Sequence, residues 1–584
     1  MKIWKKRIGW TAAFVCVCYW CLFTAWSDSY MVPYLLTALL GVWTWAKRDR
    51  SALPERRERI GASVCGAVLS LAVALANYSL FFGSGGSTFQ KLHTCLKLVL
   101  VLAGGFLLFR EIFLAVGVYV GRQTKTVSAM RAPRGDKWIL FGGWAVLLVI
   151  YGVVFYTSMY PGNTSTDSSW QIEQIMTGVY SNHHPYYHTQ LIRLCMMIGM
   201  KLSGGDMNCG VACYSLFSMT LLSLCFAYVA YTAYQITRSK GLVFVTLAWY
   251  ALMPFHIAYS VSMWKDVPFG AAVTFFVVAI YRYLAFGAEK KLWDAVVAAV
   301  AAVGICLLRS NGWMVFAATV VLFGILFGKK HWKFLLIFIA ILGGTYILKH
   351  PVLEKLNVVQ PDTIEALSIP TQQISRVIKV GNELTSEQRA LLENVVDVSK
   401  IPEYFTPGIS DPIKDLVRAS GNQSYIVEHK GEFLKLYVQL GLKYPYSYLF
   451  GWIDQTKGYW NGGYNYWRWY LDTQGNNFGI VRQPGSETVK HLVEEYFWFF
   501  EISPLLQAFL SIGLHSWLAF AGAYGAWVKR DRRALLVAAV PILVVLSLLA
   551  ATPVYAEFRY AYSLFCAMPF LLTVCLTPRE ETGA

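Results

Sequence analysis

The segment richest in chemistry is MYPGNTSTDSSWQIEQIMTGVYSNHHPYYHTQLIRL, residues 159–194. Asp167 follows a Gly/Asn/Thr/Ser run and precedes a helix-like stretch with Trp170, Ile172, Ile175 and Met176. A carboxylate so placed can take a proton from a hydroxyl, or it can share with Ser165 and Thr166 the work of capping the helix. Three histidines follow, His183, His184 and His188. His184 and His188 are four apart, which suits a metal if both lie on one helix face, but Pro185 reads as the start of the helix, and no HExxH glutamate is present. Metal ligation, hydrogen bonding to a substrate or phosphate, and plain interfacial packing all remain open for this trio.

Three further points combine charge with apolar surroundings. SMWKDVPFG carries Lys265 and Asp266; LLRSNGW carries Arg309 and Asn311; PVYAEFRYAYSLF carries Glu557, Arg559 and Tyr560. Lys265 and Asp266 read either as site residues or as an interfacial ion pair with Trp264 as its anchor. Charges this close to hydrocarbon are expensive unless they pair or work.

The elements that must position these residues follow from composition. Of 584 residues, 56% are hydrophobic and 15% charged, and the mean hydropathy is +0.45. Soluble chains carry about 25% charge, and apolar runs of about twenty residues recur from end to end, which indicates membrane helices. A soluble enzyme, a secreted disulfide scaffold and a disordered chain are excluded. So is a transmembrane β-barrel, because the runs are continuous rather than alternating. The net charge of +17 would suggest nucleic acid in a soluble protein. Here the basic residues bunch between hydrophobic runs, as in cytoplasmic loops, so no nucleic-acid partner is expected. Cys18 and Cys21 form one CxxC inside the first apolar run, with no second pair and no βαβ pattern to make it a zinc or redox site.

Spans are expected at 8–26, 30–46, 60–82, 94–120, 138–160, 209–234, 241–262, 267–286, 293–308, 312–328, 333–349, 501–527, 534–551 and 560–577. Segment 187–203 is apolar but interrupted by Arg193 and Lys201. Reading it as a juxtamembrane amphipathic helix keeps the basic loops 47–59, 121–137, 287–292, 329–333 and 528–533 on one, cytoplasmic side. The result is an all-α polytopic integral membrane protein of about 14 transmembrane helices, retained in the plasma (cytoplasmic) membrane with both termini cytoplasmic. The polar stretch 350–495 becomes a small, mostly helical external domain. Its aromatic part, Tyr459 to Trp469, could face a glycan or anchor at the interface. Under this topology Asp167, Asp266, Arg309, Glu557 and Arg559 all fall on the outer side.

At these residues the chain resembles the GT-C superfamily of polytopic glycosyltransferases, in the branch of the protein O-mannosyltransferases and the aminoarabinose transferases of lipid A. Asp167 stands where that family has an Asp in its first external loop. His184, Pro185 and Tyr186 resemble the start of its His-Pro-Pro-Leu-like juxtamembrane helix; Asp266 resembles its second external acid; and Glu557, Phe558, Arg559, Tyr560 match a late E-x-R-Y element. Two departures are Ser168, where a second acid is usual, and Tyr186 in place of the second proline. The likeness runs from about Lys137 to the C-terminus. It implies residues 1–136 as a four-helix extension, 137–349 as a transmembrane core with a catalytic loop at 161–208, 350–500 as the external domain and 501–584 as the closing helices.

The resemblance further implies a sugar moved from a polyprenyl-phosphate donor to an envelope glycan, lipid or protein acceptor outside the membrane. Asp167 would be the general base. Lys265, Arg309, Asn311, Glu557, Arg559, Tyr560, His183, His184 and His188 would serve substrate and phosphate. A divalent cation, Mg or Mn, held by Asp167 and Asp266 is a further candidate. The alternative is a polytopic transporter or lipid flippase, whose charges belong at the bilayer midplane rather than at the rim.

Overall fold

The computed structural model describes residues 2–26, 30–48, 54–82, 87–122, 124–125, 136–286, 291–464, 466, 468–577 and 579–580. The basic loops expected at 47–59, 121–137 and 287–292 lie partly or largely outside the described residues, as does Trp467 of the aromatic stretch. Described secondary structure is helical apart from two strands of two residues each, Thr124–Lys125 and Arg579–Glu580.

Among the described residues, fourteen α-helices precede the polar stretch: α1 (Lys2–Trp26), α2 (Val32–Lys47), α3 (Arg56–Ala76), α4 (Thr88–Arg122), α5 (Lys137–Val154), α6 (Thr166–Thr177), α7 (Tyr186–Ser203), α8 (Met207–Thr237), α9 (Lys240–Leu252), α10 (Pro254–Ser260), α11 (Asp266–Ala285), α12 (Lys291–Leu308), α13 (Gly312–Phe327) and α14 (Trp332–Ile347). The chain closes with helices Glu487–Ile502, Pro504–Ala508, Ile512–Val528, Arg532–Ala550 and Tyr562–Leu576.

Among the described residues, eight helices are long and apolar enough to cross a membrane, or nine if α9 and α10 form one broken span. This is the architecture of a multi-pass membrane protein. The expected list of spans was longer, and the shortfall has physical reasons. α2 and α13 have 16 residues each, about 24 Å of helix at 1.5 Å per residue, against a hydrocarbon core of about 30 Å. The run 241–262 is not one straight helix: it bends by 62° between α9 and α10. Pro254 has no N–H to donate, and Met253 before it is extended, with φ −71° and ψ 122°. The run 501–527 breaks at Pro504 and again at Ser511, whose hydroxyl accepts the Leu514 N–H at 3.1 Å and donates to the Gly462 carbonyl at 2.7 Å.

Among the described residues, four separate cores are found, the smallest between α6, α7 and α8 around Ile172, Ile192 and Tyr214. α1–α4 share a core around Trp20, Tyr34, Phe109 and Phe113, closed by Trp517 and Tyr524 of the helix Ile512–Val528. The central bundle packs α5, α8–α14 and the closing helices around residues such as Phe226, Tyr250, Phe276 and Phe565. The polar stretch folds short helices around Ile364, Val377, Val396, Ile413 and Leu440. α7 lies against α8 with His188, Ile192, Cys195 and Gly199 on its buried side. Gly199 is required there, since a Cβ would sit 2.2 Å from the Cys209 carbonyl oxygen.

The described aromatics between Tyr459 and Trp469 pack inward. Tyr459 is fully buried, with its hydroxyl on the Tyr555 carbonyl; Trp517 donates to the Trp460 carbonyl; Tyr466 donates to the Gly458 carbonyl. They cement the closing helices to the bundle, and none of the described ones lines the cavity considered next.

Candidate active site

Ser165 caps α6, and the Ser165 N–H donates to Ser168 Oγ at 3.1 Å. Ser168 in turn donates to the Met263 carbonyl at 3.0 Å, and Trp264 Nε1 donates to Ser165 Oγ at 2.8 Å. The cap is therefore serine, and Asp167 in the first turn is released from that duty. The same contacts draw the segment before α11 against α6, which brings Lys265 beside Asp167.

Asp167 Oδ2 accepts from Arg559 Nη1 at 2.7 Å. Lys265 Nζ lies 3.8 Å from the same oxygen and His184 Nδ1 3.9 Å. Arg559 is aimed by Glu557, whose carboxylate accepts from its Nε at 2.9 Å, and its guanidinium lies over the Trp264 ring. Lys265 donates to His184 Nδ1 at 2.8 Å. That bond makes Nδ1 the acceptor and leaves the His184 proton on Nε2. His184 is almost fully buried, and its Nε2 meets no partner among the described residues.

Burial alone would raise the Asp167 carboxyl, but the Arg559 and Lys265 charges outweigh it and hold the group well below the usual carboxylate range. Burial, and then the Lys265 charge, push the His184 imidazole well below its ordinary value, so the ring is neutral. Burial likewise lowers Lys265, opposed by Asp167 and Asp266.

Asp266 starts α11 and is buried against Arg309, Oδ1 to Nη1 at 2.8 Å. Arg309 also donates to the Tyr560 carbonyl at 2.9 Å and lies over the Tyr560 ring. Asn311 donates to Ser547 Oγ at 2.7 Å, joining the start of α13 to the helix Arg532–Ala550. All these residues sit at one end of the bundle, where α12 ends and α11, α13 and Tyr562–Leu576 begin.

A cavity of about 1350 Å³ opens at this end. Asp167, His183, His184, Lys265, Arg309, Asn311, Arg559 and Tyr560 all line it. Three residues expected at the site do not. Glu557 lies behind Arg559. Asp266 lies behind Arg309. His188 is fully buried between Gln171 and Tyr214, with its Nε2 2.8 Å from the Tyr214 hydroxyl. His184 and His188 diverge because α7 starts at Tyr186, so His184 precedes the helix and shares no face with His188.

A divalent cation does not fit this geometry. Asp167 is already neutralised by two cations, Asp266 is turned to Arg309, and among the described residues no group of three or more His, Cys, Asp or Glu could hold a metal ion. Sequence reasoning missed another part of the wall, formed by Glu365, Asp411, Lys414 and Arg418 of the short helices of the polar stretch. Lys414 pairs with Glu365 at 3.2 Å and donates to the Pro553 carbonyl at 3.1 Å. In the sequence these look like ordinary charges on a solvated helix. The apolar side of the cavity comes from Met314, Leu548, Ala551 and Val554.

Residues 174–584 match DUF6020, described as a family of unknown function. The chain belongs to DUF6020. No curated protein and no solved structure matches it. The DUF6020 match takes in His184, Lys265, Arg309 and Arg559; Asp167 and α1–α5 precede it.

Proposed function

We propose that this DUF6020 protein is a GT-C-like glycosyltransferase that moves a sugar from a polyprenyl-phosphate donor to a hydroxyl of an envelope glycan, lipid or protein. The observation that carries the reading is the cavity in which Asp167 faces Arg559, Lys265 and His184 beside an apolar wall. Asp167 takes the proton of the acceptor hydroxyl. The acceptor oxygen bonds the anomeric carbon, whose bond to the phosphate oxygen breaks, and the electron pair leaves with the phosphate. Arg559 and Lys265 receive that charge, His184 holds Lys265 in place through Nδ1, and Glu557 keeps Arg559 aimed. The prenyl chain runs along Met314 and Leu548 toward the bilayer. No step is routed through a metal.

In this reading the chain crosses the plasma membrane about fourteen times, with Lys529–Arg533 and both termini cytoplasmic and the cavity outside. The test is Asp167→Asn in isolated membranes, following consumption of a polyprenyl-phosphate sugar. Lost transfer with unchanged thermal stability supports the reading; full transfer ends it.

The bent α9–α10 pair favours a second reading, a lipid or solute carrier, because transport sites are built from broken helices. In that case Asp167→Asn would slow movement of a labelled lipid across proteoliposomes, and no glycosidic product would form with the wild type.

A further inference from the structure

The Asp167 carboxylate and an incoming phosphate need the same donors. Arg559 Nη1 is 2.7 Å from Asp167 Oδ2 and Lys265 Nζ is 3.8 Å from it. Both cations line the cavity, and on the far side of the guanidinium Glu557 already holds Nε. The edge of Arg559 that a phosphate would grip is therefore occupied by the group expected to act as base. Charges near the site are balanced: Asp167, Asp266 and Glu557 against Lys265, Arg309 and Arg559. A guanidinium binds carboxylate or phosphate through the same planar fork, so the two compete.

We propose that Asp167 is an internal stand-in for the phosphate: it occupies the anion position on Arg559 and Lys265 until a phosphate monoester or diester displaces it and frees it for the acceptor hydroxyl. This rests on the function proposed above and adds an order to it. A carboxylate pinned between two cations is a poor proton acceptor, since general bases work best near the operating pH. Acceptor arriving before donor therefore meets a blocked base. Donor arriving first takes Arg559 and Lys265 and leaves Asp167 unpinned.

The experiment measures anion binding to the purified full chain by calorimetry, with two probes: inorganic phosphate and farnesyl phosphate in detergent. Four proteins are compared: wild type, Asp167→Asn, Glu557→Gln and Arg559→Ala. Removing a competing internal ligand should tighten binding about 5-fold or more, the lower end of ordinary coupling between two ligands of one site. Asp167→Asn should show that gain. Glu557→Gln removes the same charge from the same guanidinium but loses its aim, so it should bind no tighter than wild type. Arg559→Ala should bind weakly. A gain with farnesyl phosphate alone assigns the position to a lipid-linked phosphate; a gain with both assigns it to phosphate of either source. Equal gains in Asp167→Asn and Glu557→Gln would mean bulk charge only and overturn the proposal. So would tight binding to wild type that Asp167→Asn leaves unchanged, although the donor reading would then survive. Failure of both probes to bind any of the four proteins would overturn the donor reading itself.

Discussion

α11 and α12 are pinned to each other by a buried ion pair at each end, and the two ends are built differently. At the far end Arg282 Nε donates to Asp294 Oδ1 at 2.8 Å. Its other donors go to Thr232 and Gln235, and Tyr228 donates to the same carboxylate. These partners all belong to the bundle, and neither residue lines the large cavity. At the near end Asp266 and Arg309 pair just as closely. Behind the carboxylate comes Lys265, and behind the guanidinium Tyr560, both on the cavity wall. A buried charge in a membrane bundle is thus not evidence of function by itself. What separates the two clusters is that one is enclosed by its partners inside the bundle, while the other stands next to space with donors that an anion could take.

The largest expected effect breaks this comparison on the functional side. Asp167→Asn should reduce transfer by about 10²–10⁴-fold, the usual contribution of a general base. Because Ser165 and Ser168 make the cap, the melting temperature should stay close to that of the wild type. If transfer and stability fall together, Asp167 belongs with Arg282 and Asp294 as structure.

The second prediction works on the structural side. Asp294→Ala leaves Arg282 buried without its carboxylate and should cost about 3–5 kcal/mol. The double change Arg282→Met with Asp294→Leu should restore most of that loss, since an apolar pair of similar volume often matches a buried ion pair. Denaturation in detergent measures both, and transfer per folded molecule should not change. A large loss of transfer per folded molecule in the double variant would put the far cluster in the mechanism as well.

How much of this contrast was legible in the sequence depends on what charge costs in each place. Lys265, Arg309 and Arg559 stand out because they lie close to apolar runs, where an unpaired charge is expensive, and Asp167 stands out as a carboxylate at the end of a Gly/Asn/Thr/Ser run before a helix. The same argument would have flagged Arg282 and Asp294, and only the structure shows that they satisfy each other. Glu365, Lys414 and Arg418 were invisible because charge on short helices of a polar stretch is the ordinary state of a solvated face. Their place on the cavity wall comes from the docking of those helices on Pro553 and Val554, a long-range contact that no local pattern encodes. The breaks at Met253 and Ser511 were foreshadowed by Pro254 and by a capping serine, but hydropathy averages across such points. The histidine pair was legible in part: Pro185 marks the start of α7, and the two rings go to different surroundings for that reason.

A smaller effect sharpens the role of Arg559. Arg559→Lys keeps a charge near Asp167 but loses the planar fork that reaches Asp167 and Glu557 together. Transfer should fall less than in Arg559→Ala, with the loss appearing mainly as weaker donor binding. KM and kcat measured separately against donor concentration decide this. Equal losses in the two variants would mean that the fork geometry, and not the charge, is what the site uses.

The smallest effect concerns His188, which belongs to the α6–α7–α8 packing and not to the cavity. Burial, and then the Lys265 charge, lower its imidazole from the ordinary value to about 3. In the folded chain the ring is neutral, bonded to Gln171 and to the Tyr214 hydroxyl. Unfolded, it takes a proton below its ordinary value of about 6.5. Between those two values the unfolded state binds more protons than the folded one, so stability must rise with pH and fall as the solution is acidified. The contribution is complete above about pH 6.5 and is lost progressively below it. His188→Gln cannot be protonated and can keep one hydrogen bond in the same space. Its melting temperature should start slightly below that of the wild type at pH 7.5, and the gap should narrow on going to pH 5. If the two proteins lose stability in parallel across that range, His188 is not the group that titrates, and His184, which burial and the Lys265 charge also hold neutral, becomes the residue to change next.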